Sequence, residues 1–192
     1  MALDAAEALA RDGGLPAITA RAVAGRIGYA AGTLYNLFEN LDGLILALND
    51  RTLERLERAL DAAPPPSGEP ARDLAALLDI YAAQVDTAPR LWALLIEHSL
   101  PGDQSTPEWY RQRIGRLLGR LETALAPALA HRPTPMATAE TAQSARLLWL
   151  SVHGLLTAGH AGTIAAVGAA DGRILAQDLI ETYLAGLKAR DT

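Results

Sequence analysis

The chain has no cysteine among its 192 residues, so disulfides and thiolate metal centres are excluded from any account of its stability or chemistry. Aromatic side chains are scarce as well. They make up 5% of the residues, with a single Phe, and the hydrophobic half of the composition is mainly Ala and Leu. Both residues favour helix. Alternating runs of Val, Ile and Thr, the mark of strands, are missing. The longest mostly apolar run, Leu147 to Ala158, falls far short of the ~20 residues that a membrane span needs. The opening Met1-Ala2-Leu3-Asp4 carries neither the basic cluster nor the apolar core of a signal peptide. A cytoplasmic location with no membrane partner is therefore expected.

Positive charge is also short. The net charge is −5, and residues 1–60 hold six Arg (Arg11, Arg21, Arg26, Arg51, Arg55, Arg58) against eight acids. That balance argues against a protein that coats nucleic acid indiscriminately. Catalytic signatures are absent too: there is no HExxH, paired ExxH, GxSxG, P-loop or dinucleotide fingerprint. His98, His131, His153 and His160 show no metal-ligand spacing, and Glu97-His98 combines with His153 or His160 only on paper. No cofactor and no enzymatic activity are expected.

What is present is helical punctuation. Residues 2–12 place Leu3, Ala6, Leu9 and Ala10 on one face, and Gly13-Gly14 ends that helix. Thr19 is an N-cap for a short second helix, with Ile18 placed to staple onto Val23. Gly28 ends it, and a third short helix is predicted over Ala31 to Phe38. Asn40 caps a long fourth helix whose Leu44, Ile45, Leu48, Leu56 and Leu60 form an apolar stripe down to about residue 62. Pro64-Pro65-Pro66-Ser67-Gly68 is a loop. Further helices are expected near 71–87, 89–100, 107–130, 137–161 and 172–189, the last capped by Asp171. Pro127 predicts a kink or an early end to the 107–130 helix. The fold class expected is all-α, with about nine helices. Residues 1–48 form a three-helix head, the fourth helix a rod, and residues 49–192 a helical body.

Two short helices joined by a Gly turn describe a helix-turn-helix, whose second helix enters the major groove of DNA. Val23, Ile27, Leu34, Leu37 and Phe38 would fix the angle between them. Ala30, Ala31, Gly32, Thr33, Tyr35 and Asn36 are small or hydrogen-bonding, as groove-facing positions require.

The stretch Ile18-Thr19-Ala20-Arg21-Ala22-Val23-Ala24, then Ile27-Gly28, then Gly32-Thr33-Leu34-Tyr35-Asn36-Leu37-Phe38 resembles the head of the TetR/AcrR family of transcriptional regulators. The resemblance implies that Thr33 and Tyr35 bond operator phosphates and that Ala31, Gly32 and Asn36 face base edges. Asn36 alone among these offers a bidentate contact, which favours adenine. Arg21 reaches the DNA backbone, and the amides near Thr19 and Asn40 lie at helix starts that hold phosphate. Two positions depart from the family pattern: Leu37 and Leu41 stand where many members carry basic or imidazole phosphate contacts. Their loss weakens the salt-dependent part of DNA binding.

The segment Leu148-Trp149-Leu150-Ser151-Val152-His153-Gly154-Leu155 is similar to the Trp/His-Gly motif in the ligand-binding half of one subgroup of that family. Trp149 and His153 share a helix face. That face either lines an effector pocket, with Gly154 permitting close helix approach, or is ordinary packing. Trp92, Ile96, Trp109 and Tyr110 are further pocket candidates, each more readily read as core than as ligand contact. The resemblance implies a homodimer on a palindromic operator, released by an unidentified small-molecule effector, with repression as the family default. Leu179, Ile180, Tyr183 and Leu187 form one face of the last helix and are the dimerisation candidates, unless they pack within the chain. Arg111, Arg113, Arg116 and Arg120 are read as a solvated face paired with acids such as Glu122. The alternatives kept open are a helical ligand-binding or scaffold protein with a degenerate head and, more remotely, an all-α metalloenzyme.

Overall fold

The computed structural model describes residues 1–102, 104–166, 168 and 171–190, with only the backbone of residues 134 and 135. The described residues form ten α-helices and one 3-10 turn, with no strand. They are α1 (Ala2–Gly13), the turn Leu15–Ala17, α2 (Ala20–Ile27), α3 (Ala31–Leu34), α4 (Leu41–Asp61), α5 (Pro70–Thr87), α6 (Pro89–Glu97), α7 (Glu108–Leu129), α8 (Thr134–His160), α9 (Thr163–Ala166) and α10 (Gly172–Ala189). The all-α expectation holds, and α9 is a short helix that the sequence reading did not foresee.

The chain divides into two compact units, and the division is not a single cut. Met1–Arg55 and Asp86–Arg113 make the first unit; Leu56–Val85 and Ile114–Thr192 make the second. The core of the first unit gathers Ala6 and Ala10 of α1, Ile18, Val23 of α2, Leu34 of α3, and Leu44 and Leu48 of α4 around Leu91 and Leu94 of α6. The alanines of α1 leave room for the larger leucines to interlock. Polar bonds seal the edges: Arg11 donates to the Thr87 carbonyl at 3.2 Å, Arg90 donates to the Asp12 carbonyl, and His98 meets Asp42 at 2.8 Å.

In the second unit, α8 and α10 pack closely, with Ala145, Leu148, Leu156, Ala176, Ile180 and Leu187 buried. The Tyr183 hydroxyl donates to Ser144 Oγ at 2.7 Å. The Pro64–Pro66 loop ends in a clamp on Asp73, whose carboxylate accepts from Ser67 N–H at 2.8 Å, Ser67 Oγ at 2.7 Å and Gly68 N–H at 3.0 Å. These bonds, the Ser67 amide first, hold the carboxyl below its usual range. Gly68 adopts a left-handed φ of 86°, which glycine accepts without strain.

Two expectations are corrected by the fold and a third is narrowed. The third helix closes at Leu34 rather than Phe38, and Asn36 and Leu37 continue as a tight turn, their N–H groups bonded to the carbonyls three residues back. Only Leu34 in that stretch is deeply buried, so packing stabilises one helical turn and no more. Second, of the two outcomes expected at Pro127, the early end is not taken, since α7 runs on to Leu129. Third, close helix approach occurs at Gly172, not Gly154. A Cβ on Gly172 would collide with the Leu155 carbonyl oxygen, whereas one on Gly154 meets nothing within 4 Å.

The two glycines therefore predict opposite signs. Gly172→Ala forces α10 off α8 and is expected to cost about 2 kcal/mol in urea unfolding. Gly154→Ala, a helix-interior change with open space, should gain about 0.5 kcal/mol or more. Equal effects at the two sites would contradict the packing described.

Candidate functional site

Thr19 caps α2, its Oγ1 accepting from Ala22 N–H at 3.1 Å. At the other end Gly28 takes φ 76° and ψ 26°, and the following Tyr29 N–H bonds back to the Ala24 carbonyl at 3.0 Å. This left-handed closure reverses the chain within three residues and starts α3 at Ala31. Buried Val23 and Leu34 then lock α2 and α3 into the head core. Asn40 starts α4, its Oδ1 accepting from Gly43 N–H at 2.8 Å.

Outside that core the predicted DNA-facing residues are accessible. Arg21, Gly32, Tyr35 and Asn36 are exposed, Ala31, Thr33 and Asn40 half-buried, and Thr19 exposed apart from its cap bond. Tyr35 is 51% exposed, which is not the burial of a core aromatic. Leu37, expected to brace the two helices, is instead 64% exposed beside them. Tyr29 is also exposed in the turn between α2 and α3. The sequence reading missed it, although an aromatic directly after a helix-ending glycine marks a turn tip.

The arginines explain the weak charge of the head. Arg11 pairs with Glu7 at 3.0 Å, Arg26 with Asp12 at 3.1 Å, Arg51 with Asp4 at 2.6 Å, and Arg55 with Glu7 at 2.6 Å. Burial pushes the Glu7 carboxyl up, but its bonds to Arg55 and Arg11 outweigh this and hold it below its usual range. Among the described residues Arg21 is the head arginine with no ion-pair partner. The tempting basic stretch of α7 is likewise committed, and not to Glu122: Arg113 pairs with Asp50, Arg116 with Glu57, Arg120 with Asp61 and Arg111 with Glu108.

The six pocket candidates are divided between the two units. Trp92 and Tyr110 are buried in the first unit, while Ile96 and Trp109 of that unit are half exposed. Burial pushes the Tyr110 hydroxyl up to about 12 against an opposing bond from Asn49, and Asn49 Oδ1 is buried without a partner among the described residues. Trp149 and His153 lie in the second unit with ring centroids 5.7 Å apart. Tyr81, absent from the sequence reading, bonds its hydroxyl to His153 Nδ1. No local signal links residues 81 and 153. A cleft of about 380 Å³ in that unit is lined by Leu60, Pro65, Leu77, Ile80 and Ala124, and a second of about 830 Å³ by Pro70, Pro127, His131 and Leu184. None of the six candidates lines either cleft.

The dimerisation candidates face inward in part. Ile180 and Leu187 are buried within the second unit, Leu179 and Tyr183 are half-buried, and the exposed large apolar residues of α8 and α10 are Met136, Leu147, Leu150 and Ile174. Among the described residues no group of three or more acids and histidines is arranged to hold a metal. No described helix is long and apolar enough to cross a membrane.

The fold and the head define an all-α protein carrying a helix-turn-helix. Residues 2–48 match the family model described as bacterial regulatory proteins, tetR family. The whole chain is similar in fold to a TetR transcriptional regulator from Rhodococcus sp. RHA1, with a TM-score of 0.61 at 20% identity over 97% of this chain and 92% of that one. It is similar also to a putative transcriptional regulator from Streptomyces coelicolor A3(2), with a TM-score of 0.60 at 23% identity over 98% and 96%. The transcriptional regulator FadR from Bacillus subtilis, in complex with stearoyl-CoA, gives a TM-score of 0.51 at 19% identity over 96% and 97%. No curated protein sequence matches. The head thus matches the TetR-type family model over residues 2–48, and the chain is similar in fold to TetR regulators.

His153 sets a pH dependence. Its burial pushes the imidazole down to about 4 from 6.5, so the folded state resists a proton that the unfolded chain accepts. The neutral form's stability contribution is complete above pH 6.5 and is lost as pH falls towards 4. Urea unfolding is expected to lose about 1.5 kcal/mol between pH 6.5 and 5. A His153→Phe chain should show a flatter profile across that window, and an unchanged slope would contradict the assignment.

Proposed function

We propose that this chain is a TetR-family transcriptional regulator, a repressor that leaves a palindromic operator when a small molecule binds its helical body. The observation that carries the reading is the surface of the helix-turn-helix: Arg21, Gly32, Thr33, Tyr35 and Asn36 are accessible on a core that fixes their backbone. Thr33 and Tyr35 are assigned to phosphates, Ala31, Gly32 and Asn36 to base edges, and the helix starts at Thr19 and Asn40 to the DNA backbone. Residues 1–48 serve as the DNA-reading domain and the remainder as the effector-binding and dimerisation domain.

Effector control is supported by fold likeness, since one relative is described in complex with stearoyl-CoA. The effector must bind the DNA-incompetent state more tightly than the competent one. A homodimer supplies the two half-site heads of a palindrome. Leu147, Leu150 and Ile174 are the exposed apolar side chains with which α8 and α10 meet a second copy, alongside the half-buried Leu179 and Tyr183. Nothing in the site calls for catalysis, and the protein is read as a cytoplasmic non-enzyme.

Because the other head arginines are paired internally, binding rests on few charges and many neutral bonds. In gel shifts against DNA flanking its own gene, Asn36→Ala is expected to cost about 1–3 kcal/mol and relax preference at one base pair. Arg21→Ala should weaken all sequences alike and lower the salt slope by about 1. No binding at low salt in the absence of effector would overturn the regulator reading and favour a ligand-binding scaffold with a degenerate head.

A further inference from the structure

The smaller cleft of the second unit combines hydrocarbon walls with an uncommitted cation. Leu60 of α4, Leu77 and Ile80 of α5 and Ala124 of α7 line it, together with Pro65 of the connecting loop. All of them belong to one compact unit. Its volume of about 380 Å³ suits a small molecule. The proline side of the cleft is set before any ligand arrives. Asp73, a buried carboxylate in the first turn of α5, accepts from Ser67 N–H, Ser67 Oγ and Gly68 N–H and so fixes the loop. A wall preformed in this way costs little ordering entropy on binding.

Three charged side chains line the cleft: Arg72, Asp73 and Arg120. Asp73 is bonded to the loop, and Arg120 is paired with Asp61. Arg72 is exposed and makes no hydrogen bond or ion pair among the described residues, although Asp73 feels its charge through space. The uncommitted charge at the cleft is therefore positive. An ammonium group would be repelled there, and an uncharged group would gain nothing from it. A carboxylate pairs with the guanidinium fork and, because Arg72 is exposed, keeps part of its hydration. We propose that this cleft is the effector site, and that the effector is an amphiphile with an apolar chain and a single carboxylate, the chain lying among Leu60, Leu77 and Ile80 and the carboxylate on Arg72. The proposal rests on the reading of the helical body as effector-binding. It separates the site from Trp149 and His153, neither of which lines the cleft.

The test uses the full chain and decanoate, decanol, decylamine, hexanoate and acetate, each below any micelle-forming concentration. Binding is read by titration calorimetry, and its place by the methyl NMR resonance of Ile80, assigned by its loss in Ile80→Val. Decanoate should bind about five-fold more tightly than decanol, with decylamine weaker than both. Decanoate and decanol should each move the Ile80 resonance. Hexanoate, whose shorter chain buries less hydrocarbon, should bind about ten-fold or more weakly than decanoate, and acetate not measurably. Arg72→Gln should remove the preference for decanoate and leave decanol binding unchanged, while Arg72→Lys keeps part of the preference. Because Arg72 is exposed and unbonded, both variants are expected to fold. Decanol or decylamine binding as tightly as decanoate, a decanoate preference that survives Arg72→Gln, an unmoved Ile80 resonance, or no decanoate binding would each overturn the proposal. DNA binding by the same samples is scored separately. DNA affinity that stays unchanged with decanoate in the cleft would overturn its role as effector site, whereas a chain that ignores DNA yet holds decanoate through Arg72 loses the regulator reading only.

Discussion

The burial of Leu91 and Leu94 among the helices of the head is the constraint on which the first unit depends. Their side chains complete a core that α1, α2, α3 and α4 begin but do not close, because the facing surface of α1 is alanine. Each fully buried leucine contributes about 2–3 kcal/mol by removal from water, more than any exposed ion pair at the margins. The polar bonds that surround them, Arg90 to the Asp12 carbonyl and His98 to Asp42 among others, orient α6 rather than supply most of the stability. A segment more than thirty residues beyond the fourth helix's midpoint is thereby part of the same compact unit as the helix-turn-helix.

That core also governs which side chains the head presents to its surroundings. By anchoring Val23 and Leu34 it turns the opposite sides of α2 and α3 outward, where small and neutral polar residues stand. The arginines that would make the head broadly basic are drawn into bonds with Asp4, Glu7 and Asp12. The exposed side of the head thus offers neutral hydrogen-bonding groups, with Arg21 the head arginine that has no ion-pair partner among the described residues. Exposed Leu37 fits the same pattern, since an apolar side chain there adds no positive charge to the head surface.

Much of the local architecture was legible in the sequence because its causes are local. Thr19, Asn40 and Asp171 cap helices through bonds spanning two or three residues. Gly28 and the proline run end or separate helices by backbone sterics alone. These signals place the helix starts and most of the ends, together with the turn between α2 and α3. Where helicity depends on packing, the signal failed: the stretch after Leu34 has helical periodicity but too little buried surface to hold a second turn.

The sequence by itself determined an all-α chain and a helix-turn-helix that matches the tetR family model over residues 2–48, because caps, turns and periodicity act over a few residues. Only the tertiary structure decided what the distant side chains do. It closes the head core with Leu91 and Leu94, spends the α7 arginines on acids of α4, and gives the close approach of α8 and α10 to Gly172 instead of Gly154. It also joins Tyr81 to His153 and leaves Nε2 without a partner among the described residues. These outcomes depend on which surfaces meet in space, and residues seventy positions apart carry no mark of one another until the chain has folded.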